Sequence, residues 1–335
     1  MRRILVVGAG FFGGLVASRL AARGLGPLVA TRRSTDADLR LDAEDEASLR
    51  AVLRSGDVIV DTAGPFATRT TRLMRVAMER GCDVIDLAES LAWSEAVLAL
   101  AGRAQESGVR LYPACSAVAA LAGACVRASG IAVPETIDMF LAPASAETAS
   151  PATVRGFTGS LGRTIRTFRD GRLTPTRAYV EQRRFPVGRH TGGLVESAGA
   201  VLLPRSWPSL RRVEFWVDPN LPLGHATLAL AARVPPIAAL ARAAAPRIGA
   251  GPLGRHDGVF VVTIAAGAQR ATFAFAAQRR SYLTAIEPAV MAAEALASGA
   301  SPAAGVVLPD AQVDPNVLFD RLGQLGVTVI RMPSI

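Results

Sequence analysis

Residues Val6–Gly14 read VVGAGFFGG, and Gly8, Gly10 and Gly13 in it give the spacing G-x-G-x-x-G. An apolar run, Ile4–Val7, comes directly before. A helical pattern over Gly13–Arg23, with Leu15, Val16 and Leu20 on one side, comes directly after. Each glycine has its own task in such a turn. Gly8 permits the tight bend, Gly10 lets backbone approach a pyrophosphate, and Gly13 lets the helix pack closely on the strand. Phe11 and Phe12 open the helix, whose free N–H groups and positive dipole end favour phosphate. The stretch therefore predicts a strand, a turn and a helix that bind a dinucleotide.

Outward from the turn the same rhythm continues. Short strands are expected at Leu28–Ala30, Leu39–Leu41, Asp57–Asp61, Val84–Leu87 and Val109–Tyr112. Helices are expected at Ala47–Leu53, Thr70–Arg80, Ser94–Ser107 and Ala117–Ala128. This β-α alternation predicts an α/β fold: an N-terminal Rossmann domain with a doubly wound parallel sheet over residues 1–130. From Ile131 the rhythm changes. Strands are expected at Glu135–Leu141, Ala178–Pro186, Arg212–Val217, Val259–Ala265 and Ala271–Ala277, with a helix at Ala285–Ala297. They predict a second α+β domain over 131–299 with a mixed or antiparallel sheet, for substrate and dimerisation. Residues 300–335 are expected to pack back on the first domain. Ala142–Ser150, small and polar, is expected to be a mobile loop or flap.

The second strand ends about twenty residues after the glycine turn, where an NAD-binding chain carries an acid for the ribose 2′-hydroxyl. Here the order is Thr31, Arg32, Arg33. Two guanidinium groups suit a 2′-phosphate, by forked hydrogen bonds and by stacking on adenine. NADP(H) is therefore expected over NAD(H). The alternative is that Asp36 or Asp38 folds back to accept an unphosphorylated ribose. Asp42 is counted with the cofactor-binding residues.

Two further stretches carry a resemblance. Asp57–Phe66 reads DVIVDTAGPF and Gly81–Ser90 reads GCDVIDLAES. With the glycine turn they resemble the saccharopine dehydrogenase-like (saccharopine reductase-related) oxidoreductase family. Gly249–Arg255 (GAGPLGR), the helix around Tyr282–Ala297 and Gly305–Val327 are similar to its shorter members, among them trans-acting enoyl reductases. The resemblance implies that Ala63, Gly64, Pro65 and Phe66 pass near the cofactor ribose and nicotinamide. It also implies that the turn with Asp86 and Glu89 faces the ligand, for acid–base work or for holding a substrate amine. One loop departs from the family pattern. Pro113–Leu121 reads PACSAVAAL, without the family's glycines, so Cys115 stands where it could face the nicotinamide.

Composition limits the chemistry. The chain has 335 residues and a formal charge of +9, all of its 37 basic side chains being arginine. No lysine means no lysine acid and no protein Schiff base. The arginines are scattered and few aromatics interleave, so nucleic acid is not an expected partner. Three cysteines without C-x-x-C spacing and three distant histidines argue against a disulfide framework or a metal site, and fit a reducing, cytoplasmic compartment. The N-terminal apolar run leads into the glycine turn, so a signal peptide is not expected. Leu223–Pro246 is apolar but broken by Arg233, Pro235, Pro236 and Arg242. A buried or lid-like helical pair is expected there, not a membrane span and not membrane contact.

A nicotinamide reaction on an imine, ketone or enoyl group also needs a proton. The candidates are His190, Cys115, Tyr112 and Asp86. Glu89, Arg189 and His225 are the candidate substrate contacts; Arg189 and His190 share the loop VGRHTGG. Three functions stand open. One is an NADP(H)-dependent oxidoreductase acting on a small imine, amino-acid-like or carbonyl substrate. One is an enoyl reductase for an apolar acyl or lipid-like substrate. One is a non-catalytic NADP-binding sensor or scaffold. A homodimer is expected, paired through the second sheet.

Overall fold

The computed structural model describes residues 1–33, 37–185, 187–188, 190–221, 224–248, 254–300 and 302–332. Contacts divide them into two units, one of residues 1–124 and 285–314, the other of 125–284 and 315–335.

The first unit begins with β1 (Ile4–Val7), α1 (Phe11–Ala22), β2 (Leu28–Thr31), β3 (Leu39–Arg40) and α2 (Glu46–Val52). It continues with β4 (Val58–Asp61), α3 (Arg72–Glu79), β5 (Asp83–Asp86), α4 (Leu91–Leu98), α5 (Ala101–Glu106), β6 (Arg110–Tyr112) and the start of α6 (Ala122–Ser129). Its sheet runs β3-β2-β1-β4-β5-β6 with every pair parallel. All four residues of β1, β4 and β5 are buried, because helices cover both faces. Leu5, Val7, Ile59, Val84 and Leu111 face one core with Leu49, Leu73, Val76 and Val97.

Expected and observed elements agree along most of this half, with two differences. The helix expected over Ser94–Ser107 is two helices. It starts earlier, at Leu91, because the Ser90 hydroxyl accepts the Trp93 N–H (3.3 Å). The helix expected from Ala117 opens with a wide turn, in which the Leu121 N–H reaches the Ser116 carbonyl (3.2 Å).

The second unit starts with β7 (Thr136–Ala142), α7 (Ser145–Thr148), α8 (Pro151–Gly159), β8 (Thr164–Arg169), β9 (Arg172–Arg177), β10 (Gln182–Arg184) and β11 (Thr191–Val195). Then come α9 (Gly199–Ser206), β12 (Arg212–Val217), α10 (Gly224–Arg233), α11 (Pro235–Ile248), β13 (Gly258–Ala266) and β14 (Gln269–Ala277). The chain ends with α12 (Leu283–Ser298), β15 (Gly305–Val306), α13 (Pro315–Gln324) and β16 (Thr328–Met332). The second sheet is mixed: β10-β11-β12-β7-β13-β14-β16, with β7 and β12 parallel and the other neighbours antiparallel. β8 joins β12 and forms a hairpin with β9.

The C-terminal stretch serves both sheets. β15 extends the first beside β6, and β16 extends the second beside β14. In α12, Glu287 is fully buried and pairs with Arg19 (3.2 Å), while Leu296 and Ala297 lend their carbonyls to Arg2.

Three local expectations change. Only Gln182–Arg184 of the strand expected at Ala178–Pro186 is extended in the sheet, because Tyr179 turns the chain at φ +63°; Pro186 lies outside the described residues. Ala142–Ser150 is not a free flap. The Ala144 N–H donates to Ser281 Oγ (3.1 Å), Ser145 Oγ donates to the Asn220 carbonyl (2.9 Å), and the Arg255 N–H donates to Ser145 Oγ (2.9 Å). Nor is the α10–α11 pair buried throughout: Leu230, Ile237 and Leu240 are 63, 46 and 70 % exposed. Among the described residues no helix is long and apolar enough to cross a membrane.

Candidate active site

Gly8 closes β1 at φ +105°, a conformation that L side chains rarely adopt. A Cβ there would come 2.9 Å from Thr62 Oγ1 and 3.0 Å from Ala63 Cα. A Cβ on Gly13 would lie 1.8 Å from the Gly8 carbonyl oxygen. Both positions are packed shut, so their glycines are structural. Gly10 is different: a Cβ there would meet nothing within 4 Å. The turn thus has a tight base and an open front.

Thr62 fastens the base. Its hydroxyl lies 2.9 Å from the Val7 carbonyl and 3.1 Å from the Gly8 carbonyl. The turn stands where the strand order reverses, between β1 and β4, the place where open α/β sheets bind ligands. Gly10 is also the N-cap of α1 and, having no side chain, makes no cap hydrogen bond. An open front at a helix N-terminus fits a pyrophosphate. Phe11 and Phe12 pack edge to face (5.2 Å) at the helix start.

Arg32 and Arg33 follow the end of β2 and are exposed. Arg32 Nη1 lies 3.7 Å from Asp42 Oδ2. Asp42 also accepts the Glu44 N–H (2.9 Å), so it is held in place. Asp38 accepts the Val29 N–H (2.8 Å), near the beginning of β2. That commits it away from the carboxyl end of the strand, where the ribose acid of an NAD site would stand. Ser34 and Asp36 lie outside the described residues.

Behind the Gly64-Pro65-Phe66 turn is a polar network that sequence reading missed. Arg69 Nη1 donates to both oxygens of buried Asp61 (2.8 and 2.9 Å) and to the Ala63 carbonyl (2.8 Å). Its Nε donates to Glu44 Oε1 (3.2 Å). The guanidinium sits 5.4 Å from the Phe66 ring centre and 5.3 Å from that of Trp93, and the two rings pack 5.1 Å apart. Phe66 is therefore a side of this cluster. The sequence carries only a partial signal: Asp61 ends an apolar strand, and an arginine follows eight residues on.

Trp93 links the cluster to the second motif. Its Nε1–H donates to Asp86 Oδ2 (2.9 Å), while Asp86 Oδ1 accepts the N–H groups of Ala88 (2.9 Å) and Ala114 (2.8 Å). The Cys115 N–H donates to the Asp86 carbonyl (2.7 Å). Asp86 thus pins the Pro113–Leu121 loop to β5. Burial pushes its carboxyl up to about 7, against the pull of the three N–H donors. The expected chemical roles of Asp86, Tyr112 and Cys115 meet the same obstacle, since all three lie in the interior. Burial raises the Tyr112 hydroxyl and the Cys115 thiol far above neutrality, so both keep their protons. Glu89 is the accessible acid of this turn. Its side chain reaches solvent, yet the protein around it pushes its carboxyl up to about 7.

In the second unit His190 is half-buried, with Nδ1 3.1 Å from Asp218 Oδ2 and its ring 5.6 Å from that of Phe140. Burial works to raise Asp218. The His190 hydrogen bond, the Asn220 N–H (2.9 Å) and the charges of His190 and His225 together outweigh it and lower the carboxyl. A Cβ on Gly188 would lie 2.8 Å from His190 Nε2, so the glycine makes room for the ring. His225, at the start of α10, is half-buried. Arg189 lies outside the described residues. Asp218 escaped the sequence reading, although an acid directly after the apolar strand VEFWV was its signal.

An all-parallel sheet in this order, with a glycine turn at its switch point, is a Rossmann dinucleotide-binding domain. Residues 4–111 match the sequence profile described as the saccharopine dehydrogenase NADP binding domain. None of the curated proteins matches the chain in sequence. Solved structures give distant likenesses. The UDP-N-acetylglucosamine 3-dehydrogenase of Acidithiobacillus ferrooxidans is 13 % identical, with 96 % of this chain and 95 % of that one covered and a TM-score of 0.40. An oxidoreductase of Thermotoga maritima is 10 % identical, with 99 and 98 % covered and a TM-score of 0.40. For the UDP-N-acetylglucosamine 4-epimerase of Bacillus cereus the identity is 17 % and the TM-score 0.28; the match takes in 33 % of this chain and 59 % of that one.

Proposed function

We propose that the protein is an NADP(H)-dependent oxidoreductase of the saccharopine dehydrogenase-like type. It moves a hydride to or from a small imine, amino-acid-like or carbonyl substrate. The observation that carries this reading is the open turn at Gly10 together with two exposed arginines just past the end of β2.

The Gly8–Gly13 turn and the α1 amides would hold the pyrophosphate. Thr31, Arg32 and Arg33 would hold the 2′-phosphate, with Asp42 setting the position of Arg32. Ala63, Gly64, Pro65 and Phe66 would line the ribose and nicotinamide side. NADPH, when bound, supplies the hydride. The chain's own residues supply the rest. Asp218 stays ionised and orients His190 through Nδ1, which leaves Nε2 to exchange the reaction's proton. Glu89 holds a substrate amine, and Arg189 and His225 contact the rest of the substrate. The working form in this reading is a homodimer in a reducing, cytoplasmic compartment. The three cysteines support the compartment: all are buried free thiols.

A second reading, enoyl reduction of an apolar acyl or lipid-like compound, draws on the exposed apolar residues of α10–α11. NADPH consumption with a panel of imines, 2-oxo acids with amines, ketones and enoyl thioesters separates the two. Turnover of imine or carbonyl compounds is the expected result. Turnover of enoyl thioesters alone would establish the second reading. NADPH binding with no turnover at all would leave a non-catalytic NADP-binding sensor or scaffold.

A further inference from the structure

We propose that the outer face of the α10–α11 helical pair is a docking surface for an anionic lipid bilayer. This inference is independent of the proposed reaction. Leu230, Val234, Ile237 and Leu240 are exposed and recur every three or four residues, so they form one stripe along the pair. The break between the helices does not divide the stripe: the Ala238 N–H reaches the Val234 carbonyl (3.0 Å) and the Val234 N–H reaches the Ala231 carbonyl (3.2 Å). Side chains at 63 and 70 % exposure protrude, which suits insertion among lipid headgroups. Ala231, Ala232 and Ala238 on the inner side are buried and fix the pair to its unit.

Charge selects the partner. Residues 224–248 contain no acid, and neither do residues 148–169, which include α8, the helix that packs on α11. The arginines here bind carbonyl oxygens. Arg233 donates to Ala229 (3.0 Å) and Val180 (3.1 Å), and Arg242 donates to Leu161 (2.5 Å). Arg177 donates to Ala232 (2.8 Å) and Gly162 (3.3 Å). A carbonyl neutralises no charge, so the positive charge stays available. Arg155 and Arg163, both exposed, add to it. An apolar stripe with a predominantly cationic margin is the pattern of a helix that lies in a membrane interface. An acidic protein partner would satisfy the arginines and leave the protruding leucines without apolar cover.

The test is co-sedimentation of the full chain with large vesicles. One set is phosphatidylcholine alone, and the other is phosphatidylcholine rich in phosphatidylglycerol. We expect binding to the phosphatidylglycerol vesicles, lost in high salt and at least about tenfold weaker on the neutral ones. Leu230→Glu with Leu240→Glu should abolish it. Arg155→Gln and Arg163→Gln should each lower partitioning about fivefold. Far-UV circular dichroism melts should leave all of these variants folded, since the altered side chains are exposed. The proposal fails if wild type stays in the supernatant with phosphatidylglycerol vesicles, or if the leucine variant still sediments. It also fails if wild type ignores vesicles and the leucine variant turns an oligomer into a monomer by light scattering, because the face would then pair with a second copy.

Discussion

Asp86 and Glu89 stand three residues apart and both titrate near 7, with different consequences. Asp86 is fully buried. Its folded-state value lies above its unfolded one, so the native state binds the extra proton. The stability this gives is complete below the unfolded value and is lost as pH rises through about 7. Urea unfolding of wild type should therefore weaken by a few kcal/mol between about pH 5 and pH 8, and Asp86→Asn should make that slope clearly shallower. An unchanged slope in the variant would assign the titration elsewhere. Glu89 is raised in the same direction and adds to the same slope, and its exposed position also puts its titration within reach of a ligand. The KM of an amine-bearing substrate should fall as pH rises through about 7, and Glu89→Gln should remove that dependence while circular dichroism shows the variant folded. The glycines divide in the same way. Gly13→Ala should cost about 1–3 kcal/mol in urea unfolding, because its Cβ has no room. Gly10→Ala should leave stability within about 0.5 kcal/mol and weaken cofactor binding, since no protein atom lies within 4 Å of the added Cβ.

At the scale of elements, the sequence was most legible where burial imposes one pattern. Ile4–Val7 and Val58–Asp61 are continuous apolar strands because both their faces are covered, and their period is plain. The glycine turn was legible for a related reason: sterics leave few residues that fit it. The β8–β9 hairpin was missed because its strands, TIRTFR and RLTPTR, are half solvated and rich in arginine. The signal was at the tip instead. Asp170 and Gly171 both have positive φ (51° and 75°), the arrangement that a two-residue hairpin turn requires. Arg69, Trp93 and Asp218 were missed because their importance comes from partners brought near by folding. Ala142–Ser150 was misread as mobile for the same reason, since small polar residues look free until distant donors reach them. Asn220 is the centre of that knot. At φ +54° its side-chain amide donates to the carbonyls of Pro143 (2.9 Å) and Asp257 (2.7 Å). Asn220→Ala should lower stability by roughly 2–3 kcal/mol in urea unfolding and leave NADPH binding unchanged.

At the scale of the whole molecule, the chain leaves its first unit after residue 124 and returns to it for residues 285–314. A break at residue 130, natural from the sequence rhythm, would remove β15 and the part of α12 that buries Glu287 against Arg19. The isolated 1–130 fragment should expose apolar surface on one side of its sheet and aggregate, which light scattering would report; a monomeric, cooperatively melting fragment would contradict this. The +9 charge gives the whole surface a field that draws in anions, a 2′-phosphate among them. The central claim, however, is local and rests on Arg32 and Arg33. Nicotinamide fluorescence titration of the full chain with NADPH and with NADH, for wild type and for Arg32→Ala with Arg33→Ala, tests it most directly. The account predicts that wild type prefers NADPH and that the double variant loses this preference while its weak NADH binding stays the same. Equal affinity for both cofactors in wild type, or a preference that survives the double substitution, would contradict it.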